Sequence, residues 1–327
     1  MSRSRPSRSS TCWSSEVCSC CARKRSWSMA DRIQTSVMIA GLSMLYGDDL
    51  AGVVETAKLA EDAGVDQIVM PDHVSIGGRT DRYPYGKFPL PIDEPWLEPL
   101  TTLAAMAGAT SRIRLGTGIL IVPLRPAPLL AKTLATLDVL SGGRLDLGVG
   151  SGWQREEFES SGIPFSGRTA RMEETLRACC VMWTEAPASF MSKTVSFENL
   201  WSLPWPVQKG GIPIWIGGAL TDGNLRRLVE FGAGWMPMDS RPDVLEEGKA
   251  QLERALREAG RDPSTVGIRG QVNPVRENRV VDLDRTLEQL GPLRAAGATV
   301  ASFALGAFVR TRDEIGPFLE RIGRAGG

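Results

Sequence analysis

The chain contains one histidine, His73, which follows the apolar run Asp66–Met70 directly after Pro71 and Asp72. An imidazole exchanges a proton close to neutral pH, so His73 is a candidate general acid or base. Asp72 beside it either orients a neighbouring group or binds backbone. The alternative is that Asp72 and His73 do no more than close a turn. We predict a catalytic role for both.

Three further segments place glycines directly after apolar runs, where a missing side chain lets a ligand approach the backbone. The first segment, residues 117–119, holds either a bulge against a flat ligand or a simple change of strand curvature. In the second, the large ring of Trp153 walls in the ligand. In the third, backbone N–H groups at the start of a helix face a phosphate, although tight turns also use paired glycines. The candidate cofactor-binding residues are Thr117, Gly118 and Ile119; Ser151, Gly152 and Trp153; and Gly217, Gly218 and Ala219.

Other polar residues have simpler interpretations. We interpret Lys132 and Asp138 as structural contacts between their helix and the barrel rather than as a catalytic pair, because that helix packs outside the strands. Glu156 and Glu157 are either acids or the solvated start of a helix. Trp215, in the middle of a strand, is assigned to the core. The sequence shows no Walker loop, no GxSxG or HExxH motif and no GxGxxG after a first strand, and we predict no metal site.

Eight strand-then-helix units position these residues. The predicted strands begin near Thr35, Asp66, Arg112, Arg144, Ile212, Gly234, Val266 and Thr299. Strands that alternate with helices indicate a parallel sheet, and eight units favour a closed (β/α)8 TIM barrel. The loop Val74–Trp96 is long enough to cover a site. Phe190–Pro206 is expected to be an irregular insertion after the fourth helix.

The first 28 residues differ from the rest. They are rich in Ser and Arg, hold four of the six cysteines and show no helical or strand period, so we predict a disordered or non-native extension before a single domain at residues 29–327. Residues 29–327 carry a net charge of −5, since six of the 38 basic but one of the 38 acidic side chains lie before them. This balance argues against nucleic acid or a membrane as partner, and we expect a cytoplasmic protein.

Three segments carry a family resemblance. Leu97–Trp153, Phe158–Leu176 and Ile212–Pro237 closely resemble the luciferase-like monooxygenase superfamily, and most of all its actinobacterial branch that uses the deazaflavin coenzyme F420. The resemblance implies a TIM barrel with F420 or FMN at its C-terminal mouth. It also implies a small-molecule substrate, a reductase system that supplies reduced cofactor, and a homodimer as a common assembly.

The same resemblance implies roles for individual residues. A histidine at the end of the second strand assists proton transfer, and here it is His73 with Asp72 beside it. A non-proline cis peptide behind the cofactor ring falls at Thr117–Ile119. Ser151, Gly152 and Trp153 lie near the ring, and Gly217 and Gly218 belong to the phosphate-binding turn. Sugar-phosphate dehydrogenases of the family have glutamate where this chain has Trp153, so sugar-phosphate oxidation is not expected.

These observations favour an F420-dependent oxidoreductase that transfers a hydride to or from a small organic substrate, with His73 handling the proton. Two alternatives remain at this point. One is an FMN-dependent monooxygenase that works with a partner reductase, and the other is a non-catalytic flavin-binding relative.

Overall fold

A closed barrel of eight parallel strands forms the centre of the protein. The computed structural model describes residues 32–326, so the predicted extension at residues 1–28 lies outside the described residues. The barrel strands are β1 (Gln34–Met38), β2 (Gln67–Met70), β3 (Arg114–Thr117), β4 (Leu145–Gly150), β5 (Ile214–Gly217), β6 (Gly232–Met236), β7 (Gly267–Val272) and β8 (Val300–Ala304). They pair in the order β3-β2-β1-β8-β7-β6-β5-β4, and β4 pairs again with β3. The predicted TIM barrel is confirmed.

Helices surround this barrel. Their apolar residues recur at helical spacing, as in Ala127–Leu140, where Leu130, Leu134 and Leu137 are buried against the strands. None of the helices between residues 32 and 326 combines the length and the apolar character needed to cross a bilayer. The helices are Leu42–Tyr46, Gly52–Asp62, Pro99–Ala109, Ala127–Leu140, Arg155–Ser160, Arg168–Met182, Asp222–Glu230, Pro242–Glu258, Leu283–Leu287, Leu290–Ala295, Leu305–Phe308 and Ile315–Ala325.

The insertion after the helix Arg168–Met182 is more regular than the sequence analysis expects. Ala188–Met191 and Ser196–Leu200 form an antiparallel hairpin. Ala188 and Phe190 point inwards, and the Phe190 ring lies 6.0 Å from that of Phe197 across the hairpin. An alternation of four residues is too short to be recognised without its partner strand. The expectation of an irregular segment was therefore wrong for its first half.

Polar side chains inside the barrel connect its strands. Gln67 of β2 accepts a hydrogen bond from Ser36 at 3.0 Å and donates one to Asp146 of β4 at 2.7 Å. Arg114 of β3 donates to the same carboxylate, and Arg269 of β7 donates to Gln67. Burial lowers the pKa of Arg269 to about 10. These contacts fix the register of strands that carry the candidate site at their other ends.

One carboxylate on the outside of the barrel holds the loop before β3. Glu61, near the end of the helix Gly52–Asp62, accepts hydrogen bonds from the backbone N–H groups of Ser111, Arg112 and Ile113. Burial by itself raises the pKa of Glu61, but the amides of Ile113, Arg112 and Ser111 outweigh it and lower that pKa from 4.5 to about 2. The ionised form of Glu61 is therefore favoured in the folded state.

This contact makes part of the stability depend on pH. The folded pKa lies below the unfolded one, so the stabilisation is complete above the unfolded value and is lost as the pH falls through about 2. We expect Glu61→Gln to lower the free energy of unfolding at neutral pH by about 1–2 kcal/mol, a figure reduced for solvent screening. Urea unfolding across the acid range measures it. Asp62→Asn removes a neighbouring exposed charge as the control, and an equal effect of both variants would contradict the assignment.

Candidate active site at the carboxyl ends of the strands

The four candidate segments lie at one mouth of the barrel. His73 follows β2, Gly118 follows β3, Ser151 follows β4 and Gly218 follows β5. All four strands are parallel, so their carboxyl ends open on the same side. This is the end at which TIM barrels carry their active sites. The barrel thus brings together every candidate residue that the sequence analysis names.

His73 is held by a buried glutamate. Its Nδ1 lies 3.1 Å from Oε2 of Glu157, whose other oxygen accepts the backbone N–H of Val74 at 2.6 Å. The Glu157 side chain is fully buried and that of His73 is 8% exposed. The contact is compatible with a hydrogen on Nδ1 donated to the Glu157 oxygen, an arrangement that leaves Nε2 to exchange a proton.

This arrangement changes the interpretation of two glutamates. In sequence, Glu157 is either an acid or part of a solvated helix start. The second possibility was wrong, because the helix Arg155–Ser160 buries the Glu157 side chain against His73. Glu156 points the other way and is 33% exposed. Adjacent residues of a helix face directions about 100° apart, so the sequence pair contains one buried and one surface side chain.

Aromatic rings surround His73. The ring centroid of Trp96 lies 4.6 Å from that of His73, and the centroids of Trp153 and Phe88 lie 6.0 Å and 6.2 Å away. Tyr83 joins the cluster at 5.2 Å from Trp153. Tyr83, Phe88 and Trp96 all belong to the loop that the sequence analysis expects to cover a site. These rings shield the imidazole from bulk water.

The first part of this loop is fixed to the helix Arg155–Ser160. Gln154, 1% exposed, accepts the N–H of Gly77 at 2.8 Å and donates to the Gly77 carbonyl at 3.0 Å. Ser75 and Ser160 share a further hydrogen bond at 3.3 Å. Together with the contact between Glu157 and Val74, these bonds anchor the loop on both sides of Ser75.

Asp72 binds a backbone N–H and a neighbouring side chain, the two possibilities that its sequence position left open. Its carboxylate accepts hydrogen bonds from the N–H of Ile121 at 2.8 Å and from Arg125 at 2.7 and 3.1 Å. Arg125 also donates to Glu98 at 2.8 Å. Asp72 therefore positions the segment after β3, and the carboxylate that contacts His73 belongs to Glu157. A catalytic role for Asp72 stays a prediction.

The segment after β3 forms a surface suited to a flat ring. The Gly118–Ile119 peptide bond is cis, as the resemblance implies. A Cβ at Gly150 would lie 2.7 Å from the Ile119 side chain, and one at Gly217 would lie 2.9 Å from it. Only glycines at these positions leave room for Ile119, which is partly exposed at the mouth. Ile119 with Gly150 and Gly217 forms the candidate cradle for a planar cofactor.

The β4 exit also depends on a glycine. Gly152 has a φ of +76°, and a Cβ there would lie 2.8 Å from both Ile121 and Phe158. Its carbonyl accepts a hydrogen bond from Arg168 at 2.9 Å. Ser151 and Trp153 flank it, both partly exposed. Thr117, in contrast, is 1% exposed and donates to the Gly148 carbonyl at 2.7 Å, so its side chain supports the cradle from within.

The turn after β5 is partly used by the protein itself. The N–H of Gly218 donates to the Met236 carbonyl at 3.0 Å, and the Gly218 carbonyl accepts from Trp235 at 2.9 Å. The Gly218 N–H, which was expected to bind a phosphate, is therefore already hydrogen-bonded to β6. Phosphate binding here would depend on Ala219 and the residues after it, at the start of helix Asp222–Glu230.

The residues interpreted as structural have structural contacts. Asp138 accepts hydrogen bonds from the backbone and side chain of Gln208, and Lys132 donates to the Leu203 carbonyl. Both side chains therefore hold the segment at residues 203–208 against the helix Ala127–Leu140, and the expected direct contact with the barrel was wrong in its partner. Trp215 is 1% exposed, so its assignment to the core is confirmed.

The fold and the position of this mouth are those of a TIM-barrel enzyme, and sequence comparison gives the family. Residues 25–289 match the family model described as luciferase-like monooxygenase. An uncharacterized protein of Mycobacterium tuberculosis (strain ATCC 25618 / H37Rv) is 32% identical over 289 residues, covering 86% of this chain and 96% of that protein. The chain belongs to the luciferase-like monooxygenase family.

Solved structures with this fold include users of two cofactors. An F420-dependent secondary alcohol dehydrogenase in complex with an F420–acetone adduct matches with a TM-score of 0.71 and 16% identity, over 90% of this chain and 98% of that one. The oxygenating constituent of 3,6-diketocamphane monooxygenase from Pseudomonas putida, in complex with FMN, matches with a TM-score of 0.68, 16% identity and the same coverages. At such identities the likeness shows the fold alone.

Proposed function

We propose that this protein is an F420-dependent oxidoreductase that transfers a hydride between the deazaflavin and a small organic substrate. The observation that carries the proposal is the buried pair of His73 and Glu157 at the barrel mouth. The family includes F420-dependent and FMN-dependent members of the same fold, which supports a flavin-type cofactor.

The cradle residues bind and orient the ring in this proposal. Ile119 supports one face of the ring, and Gly150 and Gly217 keep that face free of other side chains. Ser151, Gly152 and Trp153 border it, and Ala219 with the following helix start holds the phosphate. When bound, a deazaflavin accepts or donates two electrons as a hydride.

His73 supplies or removes the proton that accompanies the hydride. Glu157 keeps the hydrogen on Nδ1, so Nε2 is the ring nitrogen that gives or takes the proton. Trp96, Phe88 and Tyr83 exclude water around the imidazole. The indole Nε1 of Trp96 is buried and has no hydrogen-bond partner among residues 32–326, which leaves a donor near His73 for a bound oxygen atom.

Separate titrations with F420 and FMN test the proposal. We expect F420 to bind with a Kd about ten-fold or more below that of FMN, read from fluorescence quenching. Tighter FMN binding, together with oxygen uptake in the presence of reduced FMN, would instead identify a monooxygenase served by a partner reductase. Binding without turnover across a panel of alcohols, ketones and enones would indicate a non-catalytic carrier.

A further inference from the structure

An open pocket lies beside Trp153, on the outer side of the aromatic cluster. It encloses about 170 Å³. Its lining residues include Arg79, Arg82 and Arg155, together with the aromatic residues Trp153 and Phe165. Neither the cradle nor the proton-transfer residues described above account for these arginines.

The pocket has unused cationic donors. Asp81 takes two N–H groups of Arg79 at 2.8 Å each. The nearest carboxylates to Arg82 and Arg155 lie 3.9 and 3.7 Å away, and neither guanidinium makes a hydrogen bond within the part of the chain that the structure describes. Both side chains are about half exposed. A guanidinium with free N–H groups suits a planar anion such as a carboxylate.

Charges around the pocket reinforce this preference. Arg155 and Arg168 both lie over the ring of Phe165, at 4.7 and 4.0 Å from its centroid. Burial, and after it the charge of Arg155, lower the pKa of Arg168. Glu156 is the one carboxylate among the lining residues, against three arginines. Asp81 and Glu159 lie beside the lining and pair with Arg79 and Arg155, so with Arg168 included four positive charges face three negative ones.

Trp153 connects this pocket with the candidate catalytic residues. Its indole lines the pocket, and its ring centroid lies 6.0 Å from that of His73. A ligand whose anionic group occupies the pocket can extend its body along the indole towards the imidazole. Tyr83 and Phe88 pack against the same indole, with ring centroids 5.2 and 5.6 Å away, so Trp153 links the pocket to the aromatic cluster.

We propose that Arg82 and Arg155, with Arg79, form an anion-binding subsite that takes a carboxylate or similar group of a ligand lying along Trp153. The inference deepens the proposed function: the substrate is a small apolar or aromatic molecule that carries an anionic group. The acidic tail of F420 has the same chemistry and is the other source of the anion.

Calorimetric titration with benzoate and its neutral analogue benzamide tests the subsite. We expect benzoate to bind about ten-fold more tightly than benzamide, and more weakly as salt is added. The double variant Arg82→Gln/Arg155→Gln should lose about ten-fold or more in benzoate affinity. Arg324→Gln, which removes an exposed charge far along the chain, is the control and should change neither affinity. Circular dichroism checks that each variant is folded.

Cofactor titrations of the same variants identify the source of the anion. An unchanged Kd for F420 assigns the subsite to the substrate, and a loss of about ten-fold for F420 but not FMN assigns it to the acidic tail of F420. Benzoate and F420 affinities that the double variant leaves unchanged, or no binding of either, would overturn the proposal. A protein that binds neither cofactor but keeps arginine-dependent benzoate binding would contradict the proposed function alone.

Discussion

Replacing His73 with glutamine is expected to lower kcat about 100- to 10,000-fold, the usual contribution of a positioned acid or base. Glutamine keeps a hydrogen-bond donor for Glu157 and fills a similar volume, but it has no nitrogen that exchanges a proton near neutral pH. Stopped-flow absorbance of F420 with a substrate found by screening measures the effect.

Cofactor binding serves as the internal control for this variant. The cradle of Ile119, Gly150 and Gly217 does not include His73, so the Kd of F420 should change by less than about three-fold. Wild-type turnover by the variant would remove His73 from the mechanism. Loss of cofactor binding together with turnover would assign it to ring binding instead.

Replacing Glu157 with glutamine is the second change that is expected to lower kcat strongly. The neutral amide can present either its oxygen or its NH₂ to Nδ1 and no longer fixes the tautomer of His73. We expect a fall in kcat of about 100-fold with little change in KM, by analogy with the loss of an orienting carboxylate in a catalytic triad. Glu157→Ala should in addition destabilise the fold by about 1–3 kcal/mol, because the N–H of Val74 and the ring of His73 both lose a buried hydrogen-bond acceptor.

A substrate-independent measurement is available because the sequence contains a single histidine. In tag-free protein labelled with ¹⁵N, the two ring nitrogens of His73 report its tautomer directly. We expect the Nδ1–H form in the wild type and a mixture in Glu157→Gln. Glu159→Gln, on the same helix and 60% exposed, is the matched control. An unchanged tautomer in Glu157→Gln would contradict a positioning role for Glu157.

Much of the architecture could be predicted from local pattern. Each β-then-α unit is recognised from a short apolar strand, a following helix and a glycine that ends the helix. Parallel pairing of the strands then brings their carboxyl ends to one mouth. His73, Gly118 and Gly217 are therefore found near one another without knowledge of their contacts. The hairpin at Ala188–Leu200 was missed because its strands are short and are defined by each other.

Contacts between distant segments were beyond such reasoning. Glu157 lies 84 residues from His73, and in the sequence it resembles Glu156 beside it. Asp72 adjoins His73 in sequence, but the turn after β2 directs its carboxylate to Arg125, 53 residues away. Likewise, the Gly218 N–H that was expected to bind a phosphate is hydrogen-bonded to β6. The closed barrel sets the direction of each side chain, and this direction determines which polar groups form hydrogen bonds with each other.

The amino-acid sequence by itself determined the family, the eight-unit barrel, the lone imidazole at a strand end and the glycines that follow the strands, because each is encoded in residues close together along the chain. The tertiary structure alone decided the partner of His73, the task of Asp72, and the grouping of Arg79, Arg82 and Arg155 beside Trp153. These depend on contacts across loops and helices, where a side chain's direction and burial select one partner among several of the same chemistry.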